Sequence, residues 1–201
     1  GTIRHVLNTF DPQGTTTVGF GKPTEEELEH DFLWRIRKHD PKPGQIVAFD
    51  RSHYEDVLIQ RVHEWVDEEE VDRRIEAIRD YELELTAQGV KVIKIFLHIS
   101  KEAQKDNLLE RTERDDKFWK YDPSDVEERA YWDQYMEAYQ DAIQRTDENY
   151  APWYVIPTDN KKYARMALKF LIVDLLRHLH LEWPAPDFDA EVERERIENA
   201  D

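Results

Sequence analysis

Two stretches of the chain hold side chains suited to gripping phosphate and a divalent ion. In IVAFDRSHYEDVL, Ile46 to Leu58, an apolar run ends on Asp50, with Arg51 and Ser52 directly after it. A carboxylate fixed at the mouth of a buried strand is how nucleotide-binding folds hold magnesium, an ion that prefers hard oxygen ligands. A guanidinium beside it can make a bidentate contact to phosphate. A plain turn fits the same residues, with Asp50 capping it and Arg51 pairing with the carboxylate. In RTERDDKFWKYD, basic residues recur at every third place: Arg111, Arg114, Lys117 and Lys120. On a helix such steps drift backward by roughly 60° each and trace a short spiral of positive charge. A spiral suits a long or mobile polyanion, and a lid that closes over it. A solvated helix end, balanced by Glu113, Asp115 and Asp116, fits this pattern too.

The elements that must position these residues alternate along the chain. Thr2 to Thr9 reads as a short helix, and TTTVGF (Thr15 to Phe20) as a strand bounded by Gly14 and a Gly-Lys-Pro turn. Thr24 caps a helix over EEELEHDFLWRIRKH, with Glu27 three residues on in the position of a capping box. PKPG ends it and introduces a strand from Gln45 to Phe49. Asp67 to Ala87 is a long charged helix stopped by Gly89. Val90 to Ser100 is a strand and Lys101 to Arg114 a helix. Pro123 opens a helix running to about Asp147, with Tyr131, Trp132, Tyr135 and Tyr139 along it. WYVIP is a short strand, Asn160 to Leu181 an amphipathic helix, and the acidic end after Pro184 an extended or frayed tail. Alternation of this kind predicts a parallel sheet covered by helices on both faces. Ligands of such sheets sit beyond the carboxyl ends of the strands. Asp50, Arg51, Ser100 and Pro157 all fall there.

The chain of 201 residues is long enough for one buried core. A net charge of −17 argues against a general nucleic-acid binder, yet leaves room for a locally positive pocket. The chain has no cysteine, which excludes disulfides and thiolate metal sites and is compatible with a cytoplasmic location. FLIVDLL is too short to span a bilayer and GTIRHVLNTF lacks the pattern of a secretory signal. Glu127, Glu128 and Arg129 read as an exposed patch. Lys161, Lys162 and Arg165 open the last helix against its dipole, which fits either a nearby anion or pairing with the acidic surface. The histidines show no metal-ligand spacing, and Ser52 has no evident base.

Taken together the motifs resemble the polyphosphate kinase 2 family. The resemblance runs through GTIRHV, PQG, EELEHDFLWR, FDRSHYEDVL with RVH after it, IKIFLHISKEAQ, RTERDDKFWKYDPSDVEER, WDQYMEAYQDAI and APWYVIPTDNKKYAR. It implies a three-layer, P-loop kinase-like α/β fold similar to thymidylate kinase. A parallel sheet would carry helices on both faces and a helical lid at about 111–125, within a domain spanning 1–183 ahead of an acidic tail, 184–201. It implies transfer of the terminal phosphate between inorganic polyphosphate and a nucleoside mono- or diphosphate, with Mg2+ as cofactor and a homo-oligomeric (dimeric or tetrameric) assembly. Carried over by position, Asp50 is the magnesium ligand and Arg51 its phosphate-contacting neighbour. Arg111, Arg114, Lys117 and Lys120 form the lid over the transferred group and the polyphosphate. Tyr54, Glu55 and the segment from Asp31 to Arg35 lie where the family shapes its nucleotide pocket.

The same resemblance places a phosphate-binding loop, Gly-x-Asp-x-x-Gly-Lys-x-Gly, and a first strand directly before Thr2, with Gly1 as the loop's last glycine. The expectation is therefore a fragment, or a protein with residues upstream of Gly1. Without the first strand the sheet should show a gap at its centre, where each unpaired buried backbone group costs ~1–3 kcal/mol. Two other functions share these features: an ATP-dependent nucleotide kinase, and a non-catalytic module that binds polyanions.

Overall fold

A computed structural model of the chain describes residues 2–200, so Gly1 lies outside the described residues. The element order is α1 (Thr2–Leu7), β1 (Thr15–Gly19), α2 (Glu25–Leu28), α3 (Trp34–Arg37), β2 (Ile46–Asp50), α4 (Glu55–Val62), α5 (Glu68–Ala87), β3 (Lys94–His98), α6 (Lys101–Glu113), α7 (Ser124–Glu128), α8 (Trp132–Thr146), β4 (Trp153–Pro157), α9 (Lys161–His178) and α10 (Ala190–Glu198). A 3-10 turn, Asp115–Lys120, interrupts the lid region, and a second, Arg129–Tyr131, joins α7 to α8.

The strands pair in parallel, β1 with β2 and β3 with β4. Register aligns Gly19 with Asp50 and His98 with Pro157, so each pair ends its two strands together. Among the described residues the two pairs are separate sheets, which is the expected gap. A cleft of about 570 Å³ takes in Asp50 of β2, Thr15 and Thr17 of β1, Leu97 of β3, and Arg4 and Asn8 of the α1 region.

One core ties the halves together despite the split. Val71, Ile75, Ile78, Tyr81 and Leu85 recur every three or four residues along α5 and are all buried. They meet Ile36 of α3, Val57 and Leu58 of α4, and Ala138 and Ala142 of α8, with Phe49 of β2 and Trp153 of β4 packed against them. Gly89 ends α5 at φ +87°, a left-handed turn that disfavours any side chain. A smaller apolar contact joins α1 and α9 through Val6, Ala164 and Leu168.

Several expected boundaries shift. The helix read from Thr24 breaks into α2 and α3. The capping box forms, Glu27 N–H donating to Thr24 Oγ1 at 3.2 Å and Thr24 N–H to Glu27 Oε2 at 2.9 Å. Asp31 then turns the chain by accepting the Leu33 N–H at 3.0 Å. The strand read from Val90 starts at Lys94, because Val90 and Val92 pack into the core instead. The helix read from Pro123 to Asp147 is cut at 129–131. The tail is not wholly extended: Asp189 accepts the Glu191 and Val192 N–H groups at 2.9 and 3.3 Å and starts α10.

Candidate active site

Asp50 closes β2, exposed at the cleft. The chain leaves it through Arg51 at φ 62°, a left-handed conformation uncommon for a side chain of this size. Such strain persists only where surrounding structure holds it. Here Ser52 and His53 carbonyls accept the Glu55 and Asp56 N–H groups at 3.1 and 3.2 Å, and the Ser52 hydroxyl accepts the Tyr54 N–H at 3.3 Å. The turn is thereby locked into the start of α4, and Asp50 and Arg51 are presented at the strand mouth as expected.

Behind them lies a half-buried acidic and aromatic group that spacing alone did not reveal. Burial pushes the Glu55 carboxyl above its ordinary value, with the Arg51 charge pulling it back and the Asp56 charge adding to the rise. The Tyr139 hydroxyl is pushed up to about 12, first by burial and then by Glu55, again with Arg51 opposing. Tyr139 also stacks on Phe96 of β3 at 4.4 Å. It therefore links the β2 mouth to the second strand pair. The sequence marked Tyr139 only as one of a helical row of aromatics.

The lid follows α6, which Ser100 caps at 3.1 Å to the Ala103 N–H. Asp159, just beyond β4, accepts the Ser100 N–H at 2.8 Å. At the other end, Asp122 is held below the ordinary carboxylate range by the backbone N–H and hydroxyl of Ser124, and also by the charge of Lys22. Lys22 sits in the loop after β1.

Its cations are engaged locally. Arg111 donates to Asp125 at 2.8 Å and to the Lys120 carbonyl at 3.3 Å. Arg114 holds Asp116 through two bonds of 3.0 and 2.9 Å and reaches Glu110 at 3.2 Å. Lys117 pairs with Glu110, and Lys161 of α9 lies 4.0 Å from the same carboxylate. Lys120 stands over the Trp119 ring at 4.9 Å, and that residue is 77% exposed. Of the balancing acids expected for Arg111 to Lys120, Asp116 does serve, but Glu110 and Asp125 take the places of Glu113 and Asp115. The spiral is not one helix, because Arg114 is extended at φ −116°, ψ 119° and splits it between α6 and the 3-10 turn. None of these contacts reaches Asp50 or Arg51.

Three residues expected at the nucleotide pocket make contacts within the fold. Arg35 is buried, donating to the Gly21 carbonyl at 3.0 Å and pairing with Asp56 at 3.5 Å. Tyr54 is buried, donating to Glu82 at 2.9 Å with Trp153 edge-on to its ring at 4.8 Å. Both side chains face inward and position the loop after β1 and the start of α4. Asp31 spends one oxygen on its own turn and lies 3.8 Å from Arg73. Glu128 and Arg129 are not a free patch. Glu128 meets His63 Nε2 at 3.0 Å and accepts the Tyr135 hydroxyl at 2.7 Å. Arg129 donates to the Lys101 carbonyl at 2.8 Å.

The chain is similar to known proteins. A profile described as Polyphosphate kinase 2 (PPK2) matches residues 1–182. The chain is 42% identical over 191 residues to the AMP/ADP-polyphosphate phosphotransferase of Meiothermus ruber, spanning 95% of this chain and 72% of that protein. It is 39% identical over 196 residues to the ADP-polyphosphate phosphotransferase of Rhodopseudomonas palustris, 92% of this chain and 68% of that one. The crystal structure of Polyphosphate Kinase 2 from Arthrobacter aurescens TC1 superposes with a TM-score of 0.97 at 48% identity, over 100% of this chain and 71% of that chain. With the match running through both strand pairs, the Asp50 turn and the lid, the chain belongs to the polyphosphate kinase 2 family.

Proposed function

We propose that this protein moves the terminal phosphate between inorganic polyphosphate and a nucleoside mono- or diphosphate, on a P-loop kinase-like frame in which Asp50, Arg51 and the lid surround the reacting phosphates. The observation that carries the reading is Asp50, exposed on the cleft at the end of β2 with Arg51 directly after it. The family's named activities support it. In the transfer, the phosphoanhydride P–O bond of the donor breaks as an acceptor phosphate oxygen forms the new one. Such a step needs in-line placement and cancelled charge more than covalent help. Arg51 would hold phosphate oxygens at the strand mouth. Arg111 and Arg114 would leave their carboxylates to meet the transferred group, and Lys117 and Lys120 would follow the chain of phosphates. The Arg114 pairs are exposed, and exposed pairs hold weakly, so a denser anion can displace Asp116 or Glu110. Glu55 would steady Arg51, and Asp31, Arg35 and Tyr54 would shape the nucleotide side from behind the loop.

Magnesium fits the residues present. Asp50 is an exposed carboxylate on the cleft. That donor set matches an ion that takes one or two carboxylates and completes its shell with water and phosphate. Asp50 would hold it, and when bound it would neutralise charge on the phosphate oxygens. We extend the reading to a cytoplasmic homo-oligomer.

The test is phosphorus NMR of polyphosphate with ADP or AMP and magnesium, run on the protein at its full encoded length. New nucleotide phosphate signals are expected from the wild type, with a loss on the order of a thousandfold in Asp50→Asn. A silent wild type that still binds polyphosphate would leave only a binding module. A wild type that accepts ATP and ignores polyphosphate would make it an ordinary nucleotide kinase.

A further inference from the structure

The last fifth of the chain presents two surfaces that complete each other. Helix α9 buries Ala164 and Leu168 on the body, yet its outer side carries Tyr163, Met166, Phe170 and Val173 at steps of three and four, all exposed. Phe170 is 69% exposed. A seam of a- and d-type positions on a helix that already has a buried face is a second packing surface. That helix is also basic, with Lys161, Lys162, Arg165, Lys169 and Arg177 against Asp174.

Beyond α9 the chain turns at His180, φ 47°, and runs out as an arm. Between residues 181 and 200 it carries seven carboxylates against two arginines. Its apolar side chains Trp183, Phe188, Val192 and Ile197 are all exposed, Trp183 at 96%. The arm therefore has the opposite charge to α9 and no core of its own. Apolar side chains left this open mark a contact surface. A stable interface takes about 20–30 residues from each side, which the arm and the α9 seam together can supply.

We propose that the acidic arm of one copy packs along the basic, apolar seam of α9 in a second copy, reciprocally, to make a two-fold dimer. Trp183 and Phe188 enter the seam around Phe170, and the arm's carboxylates face Lys162, Lys169 and Arg177. This rests on the homo-oligomer named above and supplies its surface. A background in which each chain carries only the introduced cysteine allows a clean test. Full-length Met166→Cys and Pro184→Cys proteins, which keep Phe170 and Trp183 in place, are mixed under mild oxidation and run without reductant, beside the double variant alone. A crosslinked heterodimer from the mixture is the expected result. Crosslinking only within one chain of the double variant would place the arm on its own α9 and overturn the proposal.

Sedimentation gives the second reading. Wild type is expected at twice the monomer mass, and Phe170→Glu and Trp183→Ser each at the monomer mass with unchanged circular dichroism. A monomeric wild type, or a dimer that survives both substitutions, would also overturn it. Phosphotransfer by a monomeric wild type would refute the arm exchange and leave the proposed activity standing. A crosslinked dimer without phosphotransfer would do the reverse.

Discussion

Ion pairs serve two regions of this molecule in opposite ways. In the core, Glu82 of α5 is fully buried and binds Lys94 of β3 at 2.5 Å and the Tyr54 hydroxyl at 2.9 Å. Lys94 also donates to the Thr146 carbonyl at 2.6 Å, while Trp153 Nε1 donates to the Thr146 hydroxyl at 2.9 Å. Every partner is fixed, and the network joins the start of α4 to β3, α8 and β4 across the gap between the sheets. In the lid, Arg111, Arg114 and Lys117 make as many contacts, but to carboxylates at the surface within the same short segment. Burial decides the difference. A desolvated charge must keep its partner, whereas a hydrated one can trade it for phosphate.

The sharpest way to break this contrast is to remove one member of each group. Glu82→Gln leaves the Lys94 ammonium buried without its carboxylate, and the expected destabilisation is about 3–5 kcal/mol. Replacing both, Glu82→Met with Lys94→Met, should recover most of that loss. Urea unfolding checks both, and a single variant as stable as wild type would show that the core pair is no more committed than the lid pairs. Arg114→Ala is the counterpart. Turnover is expected to fall on the order of a thousandfold, as when a transition-state arginine is removed, with the unfolding midpoint unmoved. A lid variant that lost stability and kept turnover would reverse the assignment.

The same contrast separates what the residues announced from what they hid. Signals within one turn of chain held: the Thr24–Glu27 capping box, the Asp67 cap that starts α5 by accepting the Glu70 N–H at 2.8 Å, Gly89, and the strand ending on Asp50. The separation of the strands into two pairs was also legible, through family resemblance and through an alternation that opens on a helix rather than a strand. The Tyr54–Glu82–Lys94 network was not, because its members are 12 and 28 residues apart and nothing local distinguishes Glu82 from the exposed acids around it on α5. Tyr54 and Arg35 were assigned to the pocket by family resemblance alone; nothing local showed that each side chain would be buried, against Glu82 and Asp56. Glu128 looked exposed for a similar reason, since His63, its partner, comes from α4. The lid's order of charge was readable, while its break at Arg114 depends on a backbone angle that spacing does not encode.

A smaller effect sharpens the contrast along the pH axis. Glu70, in the first turn of α5, accepts from Arg73 at 2.7 and 2.8 Å and from Arg74 at 2.6 Å. These bonds, Arg73's first, hold its carboxyl down to about 2. Arg74 in turn donates to the Asp56 carbonyl at 2.9 Å and to Gln60 at 2.8 Å, so the group links α5 to α4 behind the Asp50 turn. The folded state binds the proton less readily than the unfolded chain. The group's contribution is thus complete above the ordinary glutamate value of 4.5 and is lost as pH falls from there towards 2. Glu70→Gln should lower stability modestly at pH 7 and flatten its decline over that window. Glu55 runs the other way: burial raises its carboxyl, so its ionisation weakens the fold as pH rises past the ordinary value. Glu55→Gln should then leave stability at pH 7 unchanged or higher. Melting curves from pH 3 to pH 7 read both variants together. Parallel wild-type and Glu70→Gln curves across the acid range would mean that the two arginines act on Glu70 no more strongly than solvent does, and would move this pair from the committed kind to the exchangeable kind.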